Sequence, residues 1–182
     1  MFPHALLPAL PNRLALIQVA ASRGACQAAH QAVFELAARL SLAGPLRVVD
    51  AGGLFDLYSL ARALRQLSDS PLTLDRSLAA LRLSRAATGE ALLAALSRLP
   101  AVPIPTLAVD LLAPFTAAAA PPAEAYQLLS ACVAHLRRLN RAAPVLVTGQ
   151  APAAPTLAQQ AQLRLLRGAA ACILEVRREN TL

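Results

Sequence analysis

Apolar and polar positions along the chain follow two alternating rhythms. Short apolar runs at 13–19 (RLALIQV), 46–50 (LRVVD), 105–112 (PTLAVDLL) and 144–150 (PVLVTGQ) suit buried strands. Between them the apolar positions recur every three or four residues, the spacing of one helix face. From Gly24 onward, Ala29, Val33, Leu36 and Leu40 form such a stripe, and AGP at 43–45 ends it, since glycine caps a helix and proline cannot continue one. A second helix is expected over 54–67 after the turn AGG. A third spans 88–99 with Thr88 as its N-cap, and a fourth spans 123–140 with Tyr126, Leu129, Val133 and Leu136 on one face. The segments 68–71, 113–122 and 151–156 read as loops. For 78–84 the periodicity fits strand and helix equally. Residues 161–179 read as two strands around Arg167-Gly168, with a helix as the alternative for the first. Strands alternating with helices predict an α/β fold with a mainly parallel central sheet and helices on both faces. Residues 1–12 form a proline-containing lead-in, and 13–182 a single domain.

Composition adds a core but little chemistry. Apolar residues make up 57 % of the 182, with aromatics at 3 %, so the interior is built from Leu, Ala and Val. All 17 basic residues are arginine and the formal net charge is +7. That balance permits contact with phosphates or an acidic partner, and equally a solvated arginine surface. The apolar stretch 99–123 contains Asp110 and six prolines, so it is not expected to span a bilayer. Cys26, Cys132 and Cys172 lie far apart, giving neither a disulfide framework nor a zinc site, and buried thiols in a reducing cytoplasm are expected. His4, His30 and His135 lack metal spacing, and no G-x-S-x-G is present.

The segment 16–40 has the strand, turn and helix arrangement that carries G-x-x-x-x-G-K-[ST] in many nucleotide-binding proteins. Gly24 holds the second glycine position, followed by Ala25, Cys26 and Gln27. VVDAGGLF supplies Asp50, Gly52, Gly53 and Phe55; PTLAVD ends at Asp110; PVLVTGQ ends at Gln150. In this order and spacing, from roughly Arg13 to Arg178, the segments resemble the ATPase core of the RecA-like recombinases. The resemblance implies a three-layer α/β/α RecA-like core with a C-terminal β-hairpin, to which QLRLLRGAAACILEV is similar. It also implies that Asp110 stands at the magnesium-associated aspartate and Gln150 at the glutamine of the strand-end pair, with Gly149 replacing the asparagine.

The departures from that family remove one mechanism in several places. Ala25 brings no charge where a lysine would bridge phosphates. Cys26 offers a soft sulfur where Mg²⁺ needs a hydroxyl oxygen. Val19 stands at the first glycine position, and Gly52 where the water-orienting glutamate would stand. The expectation is a vestigial loop (Gly24, Ala25, Cys26, Gln27) and vestigial strand ends (Asp50, Asp110, Gln150), with no catalytic residue, cofactor or metal.

Function is then expected from a surface. The family's two DNA loops correspond to 111–122 and 151–156, neither of which holds an arginine, so DNA binding by that route is expected to be weak. Arg137, Arg138 and Arg141 either contact phosphate or complement the negative pole of the long helix. FTAA at 115–118 resembles the family's phenylalanine-x-x-alanine plug and makes Phe115 the candidate partner anchor. The implied role is a non-catalytic accessory protein of DNA recombination and repair in the cytoplasm, binding a recombinase, a repair polymerase or DNA. A regulator akin to the SulA-type division inhibitors is the alternative, and an active RecA-like ATPase comes third.

Overall fold

The computed structural model describes residues 14–20, 23–116 and 121–176, with the side chains of 20, 23–26 and 176 excepted. The lead-in 1–12, the end of the expected hairpin and the side chains of Ala25 and Cys26 lie outside the described residues. Six strands form one sheet: β1 (Leu14–Ala20), β2 (Leu46–Asp50), β3 (Leu81–Arg85), β4 (Thr106–Val109), β5 (Val145–Ala151) and β6 (Cys172–Val176). Their order is β3-β2-β4-β5-β1-β6, and every pairing is parallel.

This order dictates the layers. Right-handed crossovers place a connecting helix on one face when the chain moves one way along the sheet, and on the other when it moves back. The chain runs one way from β1 through β2 to β3, which puts α1 (Arg23–Ala43), α2 (Leu57–Leu67) and α3 (Pro71–Ala79) together. It then returns through β4 and β5 to β6, which puts α4 (Gly89–Arg98), α6 (Pro122–Asn140) and α7 (Leu157–Ala169) on the opposite face, with α5 (Ala113–Thr116) a single short turn before α6. Each face has its own apolar core. Val33, Phe34, Phe55, Leu60 and Leu64 pack over Val48 and Leu107 on the first. Leu92, Leu96, Leu129, Leu136 and Leu166 pack over Val49, Ala108 and Val147 on the second. The fold is thus the three-layer α/β/α arrangement, and the alternation of β2 residues between the two cores shows why every position of that strand is buried.

Four local expectations are corrected. Residues 157–169 form a helix, the alternative open for the first of the two runs, and β6 pairs parallel to β1, so the expected hairpin is absent from the described residues. The helix is specified by a capping box, in which Thr156 and Gln159 satisfy each other's backbone N–H, and by Leu163 and Leu166 on its buried side. Pro71–Ala79 is an additional helix, with proline in its first turn and Ser70 as N-cap. It leaves β3 to begin at Leu81 and resolves the ambiguity of 78–84. Part of the expected loop 113–122 is the turn α5. Tyr126 is 41 % exposed and lies off the buried stripe of α6. Among the described residues, no helix is long and apolar enough to cross a membrane.

Candidate functional site at the carboxyl edge of the sheet

In a parallel sheet, ligands are held beyond the carboxyl ends of the strands, where connections leave toward opposite faces. Here α1 leaves β1 toward one face, while the chain leaves β5 and β4 toward the other. Asp50, Asp110 and Gln150 are gathered at this edge: β2 pairs with β4 so that Asp50 faces Val109, and β4 pairs with β5.

Asp50 is an organiser of the turn that follows it. It is 1 % exposed, and its carboxylate accepts from the N–H groups of Leu54 and Phe55, both at 3.1 Å. Arg85, its register partner on β3, places Nε 3.8 Å from Oδ2 and donates to the Phe55 carbonyl. Those bonds close the turn 51–55. Gly53 sits in it with φ +69, a conformation that side-chain-bearing residues adopt at a cost. The turn delivers Phe55 against Phe34, ring centroids 5.2 Å apart.

Asp110 is held differently. It has φ +50, the one non-glycine residue with positive φ among the described residues. Its N–H donates to Thr148 Oγ1 at 2.8 Å, and the next N–H, of Leu111, donates to the Thr148 carbonyl at 2.9 Å. Its carboxylate accepts from the Gln150 N–H at 3.4 Å. Burial raises the Asp110 pKa above the ordinary carboxylate range. The Gln150 N–H and the nearby His30 pull it down, and Asp50 pushes it up further.

The two strand ends touch through Gly52. A Cβ added there would lie 2.6 Å from Asp110 Oδ2 and 2.7 Å from Asp110 Cβ, closer than real contacts allow. The Asp110 side chain therefore fills the volume that any side chain at 52 would enter. At Gly149 the opposite holds: an added Cβ would meet Leu112 at an ordinary 3.6 Å.

Two cavities border this edge among the described residues, and the one lined by Asp110, Leu112, Thr116, Gln150 and Gln159 holds about 170 Å³. The cavity lined by Val19, His30, Val109, Asp110, Thr148 and Gln150 has a volume of about 20 Å³, on the scale of one water site. Drug-sized ligands occupy pockets of roughly 300–1,000 Å³. Val19, the residue at the first motif glycine, is buried inside β1 and paired with Gln150. β1 continues to Ala20 and α1 starts at Arg23, so only residues 21 and 22 separate them. Gly24 is accordingly the second residue of α1, and Gln27 is an exposed residue of the same helix.

The remaining candidates are distributed elsewhere. Phe115 is 8 % exposed and packs within the second core, where it would crowd a Cβ at Gly89 at 2.8 Å. Its expectation as a partner anchor is corrected: the ring ties α5 to α4 and α6. Arg138 donates to the carbonyls of Leu96, Ser97 and Leu99 at the end of α4, and Arg137 to that of Gly168. Both arginines thus bind helix-end carbonyls, while Arg141 is exposed at the end of α6. Among the described residues, no group of three or more His, Cys, Asp or Glu could hold a metal ion.

Two functional-looking residues escape sequence reasoning. Arg47 is 2 % exposed, within β2, and donates to the carbonyls of Pro100, Val102 and Ile104. Burial lowers its pKa, with Arg82 and Arg138 adding to the effect. Its position inside an apolar run was the available signal. His30 has a buried Nε2 without a hydrogen-bond partner among the described residues, and it faces the Asp110 field. No spacing marks it. No protein-family model and no curated protein matches the chain.

Proposed function

We propose that the chain is a RecA-like core that no longer turns over ATP and acts in DNA recombination and repair by binding a protein partner in the cytoplasm. The observation that carries the loss of catalysis is the contact between Gly52 and Asp110. Hydrolysis in the family needs a carboxylate at the position of Gly52, and the Asp110 side chain stands in the volume that carboxylate would use. The two-residue interval between β1 and α1 argues in the same direction. The pathway and the class of partner, a recombinase or repair polymerase, come from the resemblance alone. DNA binding is a minor, salt-sensitive property in this reading, since Arg137 and Arg138 are engaged by backbone carbonyls. The test is steady-state ATP turnover, alone and with single-stranded DNA. Background rates in both agree with the proposal. Turnover that Asp110→Ala abolishes would overturn it.

A further inference from the structure

We infer that the groove between α1 and α2 docks a basic segment of the protein partner, an assignment that rests on the accessory-protein reading above. The groove holds about 420 Å³ and is lined by Gln27, His30, Glu35, Asp56, Arg62 and Gln66 among others. Its size suits a few side chains of a bound segment better than the smaller spaces at the strand ends.

Two features select the occupant. Glu35 and Asp56 face the groove and have no ion-pair partner among the described residues: Glu35 accepts from Gln31 at 3.1 Å, and Asp56 accepts from the Ser59 N–H at 2.9 Å. Among the described lining residues one arginine, Arg62, stands against them, so these lining side chains carry an excess of negative charge on a chain whose net charge is +7. Anionic ligands are therefore disfavoured here and an arginine or lysine is favoured. Second, Tyr58 is 76 % exposed and stands on α2 one helical turn before the groove-lining Arg62, with the half-exposed Leu57 beside it. A tyrosine next to a charge-lined groove has the composition of an interface hot spot. The occupant is thus a segment carrying a basic residue for Glu35 and Asp56 and an apolar residue for Tyr58.

The full chain is used to select binders from a library of random peptides, and the enriched peptides are titrated by fluorescence anisotropy. Enrichment of arginine- or lysine-bearing peptides is expected, with affinity falling at least about tenfold on Tyr58→Ala and weakening with salt. Glu35→Gln keeps the shape of the side chain and should weaken the same peptides. Tyr58 is exposed, so its replacement leaves the core intact. Enrichment of acidic peptides, of none, or of peptides indifferent to both variants overturns the inference. Self-association of the chain that Tyr58→Ala abolishes also overturns it, because the occupant is then a second copy. ATP turnover on the same preparation separates the two proposals. Turnover refutes the non-catalytic reading whatever the peptides do, whereas background turnover without basic peptides refutes the groove alone.

Discussion

Replacing Gly52 by alanine tests whether Asp110 fills the space at the end of β2. The new methyl would lie 2.6 Å from Asp110 Oδ2 and 2.7 Å from its Cβ. A carboxylate can swing away, but the Cβ is fixed to a backbone already at φ +50, so the turn 51–55 or Asp110 itself must shift. Overpacking of this kind costs about 1–3 kcal/mol. Gly52 does not itself sit in the left-handed region, so alanine also stiffens the unfolded chain, a gain of roughly 0.4–1 kcal/mol. The net expectation is a loss on the order of 1–2 kcal/mol, or a fall in Tm of about 2–8 °C for a chain of this size. Asp110→Gly removes both contact atoms and accepts φ +50 without strain. Combined with it, Gly52→Ala should become neutral or slightly stabilising, giving a coupling energy of about 1–3 kcal/mol in a double-mutant cycle. The assay is urea denaturation of the four proteins, read as shifts in midpoint at constant slope. Equal effects of Gly52→Ala in both backgrounds, or no effect in the natural one, would refute the reasoning.

Three further outcomes are expected. Phe115→Ala should destabilise the chain by about 3–5 kcal/mol in the same assay, because it empties a core site; an unchanged midpoint would return Phe115 to the surface. Arg47→Met should cost roughly 2–4 kcal/mol by leaving the carbonyls of Pro100, Val102 and Ile104 without donors, and thermal denaturation measures it. Because burial raises the folded pKa of Asp110, its ionisation destabilises the native state as pH rises through that value, and the penalty is absent below the unfolded pKa near 3.9. Asp110→Asn should therefore be more favourable to stability, relative to the natural chain, at pH 7 than at pH 4; the reverse order would mean that Asp110 is stabilised as a charge.

The layers were legible because β1, β2, β4 and β5 are short, mostly apolar runs, a pattern that a doubly covered parallel sheet produces. The caps of α4 and the long face of α1 were equally open to reading. The end of the chain was not. The apolar positions of 161–169 fit strand and helix alike, and the decisive signal lies upstream, in the Thr156 and Gln159 capping box. Asp50, Asp110 and Gln150 were found together because each closes a strand, but nothing local reveals that Asp110 leans on Gly52, since that contact joins positions 58 apart. Phe115 was misplaced for a related reason. A short aromatic motif looks the same whether the ring faces solvent or fills a core, and only the facing Gly89 decides. Arg47 breaks an apolar run and is marked to that extent, but its partners, the 100–104 carbonyls, and the Asp110 carboxyl near His30 come from distant strands and loops that no local pattern reveals.

The most direct test of the proposal that this RecA-like core no longer uses nucleotide is calorimetric titration of the chain with ATP and Mg²⁺, the nucleotide raised to roughly millimolar. The arrangement of Gly52, Asp110 and the two-residue interval before α1 predicts no saturable heat. A saturable isotherm that disappears in Asp110→Ala, a variant shown to remain folded, would contradict it.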